Sequence, residues 1–123
     1  MIAYASRTGN VRHIISQLQY PSIEIQSTLS MNQPFLLFTY TDGLGSVPQI
    51  VSTFMEKNHH YCRGVIASGN SNFGRDYFCK AATTISERYS VPIIRKIELR
   101  GFPQDFDAIR TFYENQFILE AAQ

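Results

Sequence analysis

Tryptophan is absent from this 123-residue chain, and cysteine occurs only twice. Without an indole, any aromatic cover over a ligand falls to Tyr or Phe. Cys62 and Cys79 have no second pair and no suitably spaced His cluster beside them, which argues against zinc or an iron–sulfur cluster. Charge is sparse too. Only 17% of residues are charged and the formal net charge is +1, which gives no general field for nucleic acid or an anionic membrane. No window approaches the roughly 18 apolar residues that a membrane span needs. The chain enters an apolar strand at once, with no basic region and no signal-peptide core, so a soluble cytoplasmic protein is expected. No Ser/His/Asp order and no suggestive pair of carboxylates points to hydrolysis.

Apolar residues make up 44% of the chain, enough to build a core, and the length suits one domain over residues 1–123. Ile2 to Ala5 reads as a buried strand. Val11, Ile14, Ile15 and Leu18 then fall at helical spacing. Tyr20-Pro21 stops that helix, Ile23 to Ile25 reads as a short edge strand, and Gln26 to Gln33 as a loop. Phe35 to Tyr40 is a near-continuous apolar run of the kind buried on both faces of a parallel sheet. Pro48 stands where a helix carrying Val47, Val51, Phe54 and Met55 begins. Tyr61 to Ala67 reads as the next strand, and a helix from about Asp76 carries Phe78, Ala81, Ala82 and Ile85. Pro92 to Ile97 is a last strand. A final helix turns Phe106, Ile109, Tyr113 and Phe117 inward. Strands alternating with helices predict a three-layer α/β sandwich: a five-stranded parallel sheet, order 2-1-3-4-5, with helices on both faces.

Three loops follow three central strands and share one rim in that topology. Ser6 to Asn10 joins a strand to a helix N-terminus through Ser6, Thr8, Gly9 and Asn10. Such a turn is either ordinary capping or an anion cradle of free N–H groups at the positive end of a helix dipole. It lacks the Gly-Lys-Ser/Thr of triphosphate loops and the Gly-x-Gly-x-x-Gly of dinucleotide turns. The second loop, Thr41-Asp42-Gly43-Leu44-Gly45-Ser46, holds two glycines able to take positive φ. The third, Ser68-Gly69-Asn70-Ser71-Asn72-Phe73-Gly74, offers close backbone approach and amide hydrogen bonds. Each alone reads as a plain turn. All three on one rim read as a site. Away from it, Cys62 reads as core. Cys79 is expected in a helix's first turn, where a thiol pKa can fall, yet packing is favoured over reactivity. Arg75, Lys80, Arg95 and Lys96 read as a solvated face.

The first loop resembles the FMN phosphate loop of flavodoxin-like proteins, except that Val11 stands where their usual pattern has Thr. Three blocks resemble the NrdI family: Ser6 to Arg12, Thr39 to Pro48, and Gly64 to Gly74. So do Phe78 to Ala81, Ser90 to Pro92 and Lys96 to Gly101, and the likeness spans nearly the whole chain. It implies a flavodoxin-like fold and an FMN protein serving class Ib ribonucleotide reductase. Its reduced flavin would react with O2, and superoxide or a close relative would reach the dimanganese centre of the reductase's small subunit, allowing a tyrosyl radical to form. An unidentified reductase would supply electrons; neither nucleic acid nor membrane is implied. By resemblance, Ser6, Thr8, Gly9, Asn10 and Val11 contact the phosphate. Tyr40, Thr41, Asp42, Gly43, Leu44 and Gly45 would surround the ring, with Ser68, Gly69, Asn70, Asn72, Phe73 and Gly74. Tyr40 or Phe73 would replace the missing Trp. The contrasting expectation is a short flavodoxin acting as a one-electron carrier.

Overall fold

Phe35 to Phe38 are all at most 1% exposed, because β3 (Phe35–Tyr40) lies in the middle of the sheet with helices above and below. The computed structural model describes residues 1–119, so residues 120–123 of the expected 1–123 domain lie outside the described residues. The sheet is five-stranded and parallel, in the order β2-β1-β3-β4-β5 that the alternating pattern predicts. The other strands are β1 (Ile2–Tyr4), β2 (Ser22–Glu24), β4 (Cys62–Gly69) and β5 (Ile93–Glu98). Period-2 alternation divides the side chains between two cores. Ala3, Phe35, Leu37, Val65 and Ala67 face α2 (Gln49–Asn58) and α3 (Lys80–Tyr89). Ile2, Leu36, Phe38, Ile66 and Ile97 face α1 (Asn10–Leu18) and α4 (Pro103–Tyr113). Each fully buried Val, Leu, Ile or Phe among them contributes about 1.5–3 kcal/mol. Among the described residues, no helix is long and apolar enough to cross a membrane.

α1 buries the expected Val11, Ile14, Ile15 and Leu18. Pro48 forms the N-cap of α2, and its carbonyl accepts from Val51 and Ser52, both at 3.0 Å. Three boundaries differ from expectation. Tyr61 belongs to a 3-10 turn, His59–Tyr61, and β4 runs on through Ser68 and Gly69. The third helix starts at Lys80 rather than near Asp76, because Cys79 takes a left-handed φ of 51° that a helix cannot run through. Its thiol is drawn under the sheet's end, donating to Ala67 O at 3.3 Å. Past Tyr113 the last helix widens into a π-helical turn, Glu114–Leu119, which sets Phe117 4.9 Å from the Tyr113 ring. Arg95 is not part of a free cationic face: its Nε donates to Asp105 Oδ1 at 2.8 Å, and Oδ2 accepts the Phe102 N–H at the start of α4.

The polar stretch 26–33 has a hidden anchor. Asn58, 1% exposed at the end of α2, accepts from Met31 N at 2.7 Å and donates to Leu29 O and Phe54 O at 2.9 Å each. Asn58→Ala would leave buried polar groups unpaired on both the loop and the helix, at a cost of about 1–3 kcal/mol. Thermal unfolding should show that loss, and limited proteolysis should cut first within 26–33. An unchanged melting temperature would mean that the loop is held by other contacts.

Candidate functional site

In a parallel sheet the C-terminal ends of β1, β3, β4 and β5 open on one edge. The three loops singled out by composition meet there around an open cleft. Ser6, Thr8, Asn10 and Val11 line it from the first loop. Tyr40, Thr41 and Gly43 line it from the second, and Ser68, Gly69, Asn70 and Phe73 from the third. The remaining expected residues stand back from the wall. Gly9 is the N-cap of α1, and Asp42 is ion-paired beside the mouth. Leu44 and Gly45 face a groove between α2 and α3. Asn72 and Gly74 shape the third turn, the Asn72 N–H donating to Asn70 Oδ1 at 2.9 Å.

The first turn is not self-capped. Gly9 holds φ 96° with no side-chain cap. Among the described residues, the N–H groups of Ser6 to Val11 donate to no protein acceptor. The first to find one is Arg12 N–H, on Ser6 Oγ at 3.2 Å, followed by His13 N–H on Gly9 O at 2.9 Å. Unpaired donors at a helix N-terminus hold an anion well, and the Ser6 hydroxyl keeps its own proton free to donate. Inside the cleft, Thr41 Oγ1 is buried yet has no hydrogen-bond partner. A buried hydroxyl left alone costs free energy, and Thr41 is one of the residues that line the cleft.

The second loop closes on itself. Asp42 and Ser46 pair as an antiparallel bridge, Gly45 N and Ser46 N both donate to Asp42 O, and Gly43 and Gly45 hold φ 47° and 104°. Gly45 has a second constraint, since a Cβ there would come within 2.7 Å of Lys80 Cδ. Arg7 reaches from the first loop, placing Nη1 2.9 Å from Asp42 Oδ1 and its guanidinium carbon 5.3 Å from the Tyr40 ring centre. Asp42 is therefore not a bare charge beside the cleft.

Three wall residues escaped the composition argument: Arg7, Tyr77 and Leu99. Leu99 belongs to a fourth loop, after β5. Its N–H donates to Gly69 O at 2.8 Å and its carbonyl accepts from Ser68 Oγ at 2.6 Å. Glu98 accepts from Ser71 N at 3.0 Å and from Ser71 Oγ at 3.0 Å, which holds the third turn against β5. The topology alone could have indicated this wall, because the end of β5 must lie on the same rim.

Cys79 stands at the N-cap of α3 beneath Gly69, fully buried, and burial outweighs the helix end and pushes its thiol up to about 12. Burial likewise lifts Cys62 to about 11. Both values lie above the ordinary 9.0, so the stability the neutral thiols contribute is complete below pH 9 and is lost as the pH rises through 11 and then 12. At pH 8 the native protein should show no thiol titratable by a disulfide reagent, and both after denaturation. A rapidly reacting native thiol would contradict this burial.

The family profile described as NrdI flavodoxin-like matches residues 2–111. Among solved structures, a short-chain flavodoxin associated with a PDU bacterial microcompartment aligns with a TM-score of 0.74 at 19% identity, covering 99% of this chain and 97% of that one. A cysteine-to-serine variant of flavodoxin from Pseudomonas aeruginosa aligns with a TM-score of 0.53 at 19% identity, covering 98% and 96%. At these identities the likeness is one of fold: a flavodoxin-like α/β sandwich.

Proposed function

The chain belongs to the NrdI flavodoxin-like family, and from that premise we propose that it is an FMN protein that generates an oxidant for the class Ib ribonucleotide reductase small subunit. Members of the NrdI and flavodoxin families generally bind FMN. The observation that carries the cofactor reading is the pairing of donors without acceptors at Ser6 to Val11 with the orphaned hydroxyl of Thr41, a residue of the same cleft wall. The first suits a phosphate and the second a polar atom of the body of the ligand. Bound there, FMN would supply one electron to O2 to give superoxide, its own electrons being replaced by a partner reductase.

The chain's residues would do the rest. Ser6, Thr8 and the N–H groups around Gly9 hold the phosphate end, helped by the dipole of α1. Gly69 and Asn70 bring backbone and amide groups to the opposite wall. Gly43 and Gly45 let the second turn change conformation without steric cost. No side chain is required as acid or base. Access for O2 is supported by the mouth: there is no Trp to cover it, and Phe73 stands 56% exposed. The oxidant would then pass to the dimanganese centre of the small subunit and allow the tyrosyl radical to form.

The test combines the reduced, FMN-loaded protein with manganese-loaded class Ib small subunit and O2, read by the electron paramagnetic resonance of the tyrosyl radical. A radical that depends on this protein is the expected result. Slow reoxidation, no superoxide and no radical would favour the electron-carrier reading. Protein that stays colourless when FMN is added would end both.

A further inference from the structure

Arg7 lies among the unpaired donors of the first turn, yet its guanidinium is turned away to the second turn, onto Asp42 and over Tyr40. The ion pair is open to solvent, with the Arg7 and Asp42 side chains 57% and 43% exposed. A pair so exposed holds weakly. A phosphate is a stronger partner for a guanidinium than a single carboxylate oxygen, because it carries more charge and accepts two parallel N–H groups. Among the described residues lining the cleft, Arg7 is also the only cation, and it belongs to the turn whose N–H groups would cradle that phosphate.

We propose that Arg7 is a specificity residue for phosphorylated flavin, exchanging the Asp42 carboxylate for the phosphate when the ligand enters. The inference rests on the FMN reading of the cleft and deepens it. In the free protein Asp42 keeps the guanidinium from the first turn. When the phosphate takes it, the Asp42–Ser46 turn loses its tie to the first loop. The two turns are thereby coupled, and only a phosphorylated ligand works the coupling. Riboflavin, which lacks the phosphate, leaves the pair in place.

The experiment measures dissociation constants of oxidised FMN and of riboflavin by quenching of flavin fluorescence, at one ionic strength, for the full chain and three variants. Arg7→Gln should weaken FMN about tenfold or more, the loss expected for a charge-assisted hydrogen bond, and leave riboflavin unchanged. Asp42→Asn should tighten FMN about two- to fivefold, the strength of an exposed pair, again with riboflavin unchanged. In Arg7→Gln the further change Asp42→Asn should do nothing. Inorganic phosphate should compete with FMN more weakly in Arg7→Gln than in the unaltered chain. If Asp42→Asn tightens FMN equally with or without Arg7, plain charge repulsion explains it and the exchange is overturned. If Asp42→Asn weakens both flavins, the pair is a permanent brace and the exchange is again overturned, as it is if no constant moves. An unaltered chain that binds neither flavin overturns the cofactor reading itself, and the exchange with it.

Discussion

Thr8→Asp is expected to raise the dissociation constant for FMN by about a hundredfold or more while leaving the fold intact. Thr8 is an exposed residue of the first turn, and it lines the cleft beside unpaired N–H groups. No neighbouring protein group depends on its side chain, and a carboxylate near the helix N-terminus is favourable, so the melting temperature of the flavin-free protein should not fall. A carboxylate there would occupy the unpaired donors of the turn and repel a phosphate dianion. Like charges brought together cost several kcal/mol, and each 1.4 kcal/mol is about tenfold in affinity. Thr8→Val separates the two effects: it removes one neutral hydrogen bond without adding charge and should cost about tenfold at most. Fluorescence quenching measures both variants. FMN binding to Thr8→Asp as tightly as to the unaltered chain would place the phosphate elsewhere.

Gly69→Val is expected to cost about 3 kcal/mol of stability, at the upper end for overpacking. Even the first added carbon would lie 3.0 Å from Cys79 N and 3.0 Å from Cys79 Sγ. The nitrogen is main chain, at the N-cap of α3, and it cannot rotate aside as a flexible side-chain end can. The sheet end and the helix start would have to separate. That movement would break the thiol's contact with Ala67 O and disturb the Leu99 N–H to Gly69 O bond on the other side. Thermal unfolding should show a drop of roughly 10 °C for a domain of this size, and the Cys79 thiol should become reactive at pH 8. A melting temperature within a degree or two of the unaltered chain would refute the close approach.

Gly69 also shows where sequence reasoning reaches its limit. From composition it is a glycine in a polar loop, suited to let a ligand approach. In the structure it is a strand residue that lines the cleft, and the close approach it permits is that of Cys79 from behind. The central strands and the first helix were legible because burial leaves a periodic trace: Phe35 to Phe38 apolar throughout, and Val11, Ile14, Ile15 and Leu18 on one helical face. The rim was legible because topology carries loop composition to one edge. What left no trace were contacts between residues far apart in the chain whose types are common in loops. Asn58, Arg7 and Glu98 are of types common on any protein surface. Each is defined by its partner, at Leu29 and Met31, at Asp42, and at Ser71. The start of α3 was misplaced for a related reason, since the left-handed Cys79 follows from a tertiary pull on its thiol rather than from local preference.

The wall contributed by β5 bears on the order in which the cleft is assembled. During synthesis the turn at Ser6 to Val11 precedes the other loops of the rim, yet β1 finds its central partner only when β3 has been made. The third turn waits longer, for Glu98 to hold Ser71 and for Leu99 to bond Gly69 and Ser68. The turn after the first strand is thus completed by the last strand of the sheet. A nascent chain lacking β5 has the first turn without its opposite wall, so a ligand that needs both walls finds them only after β5 has joined the sheet.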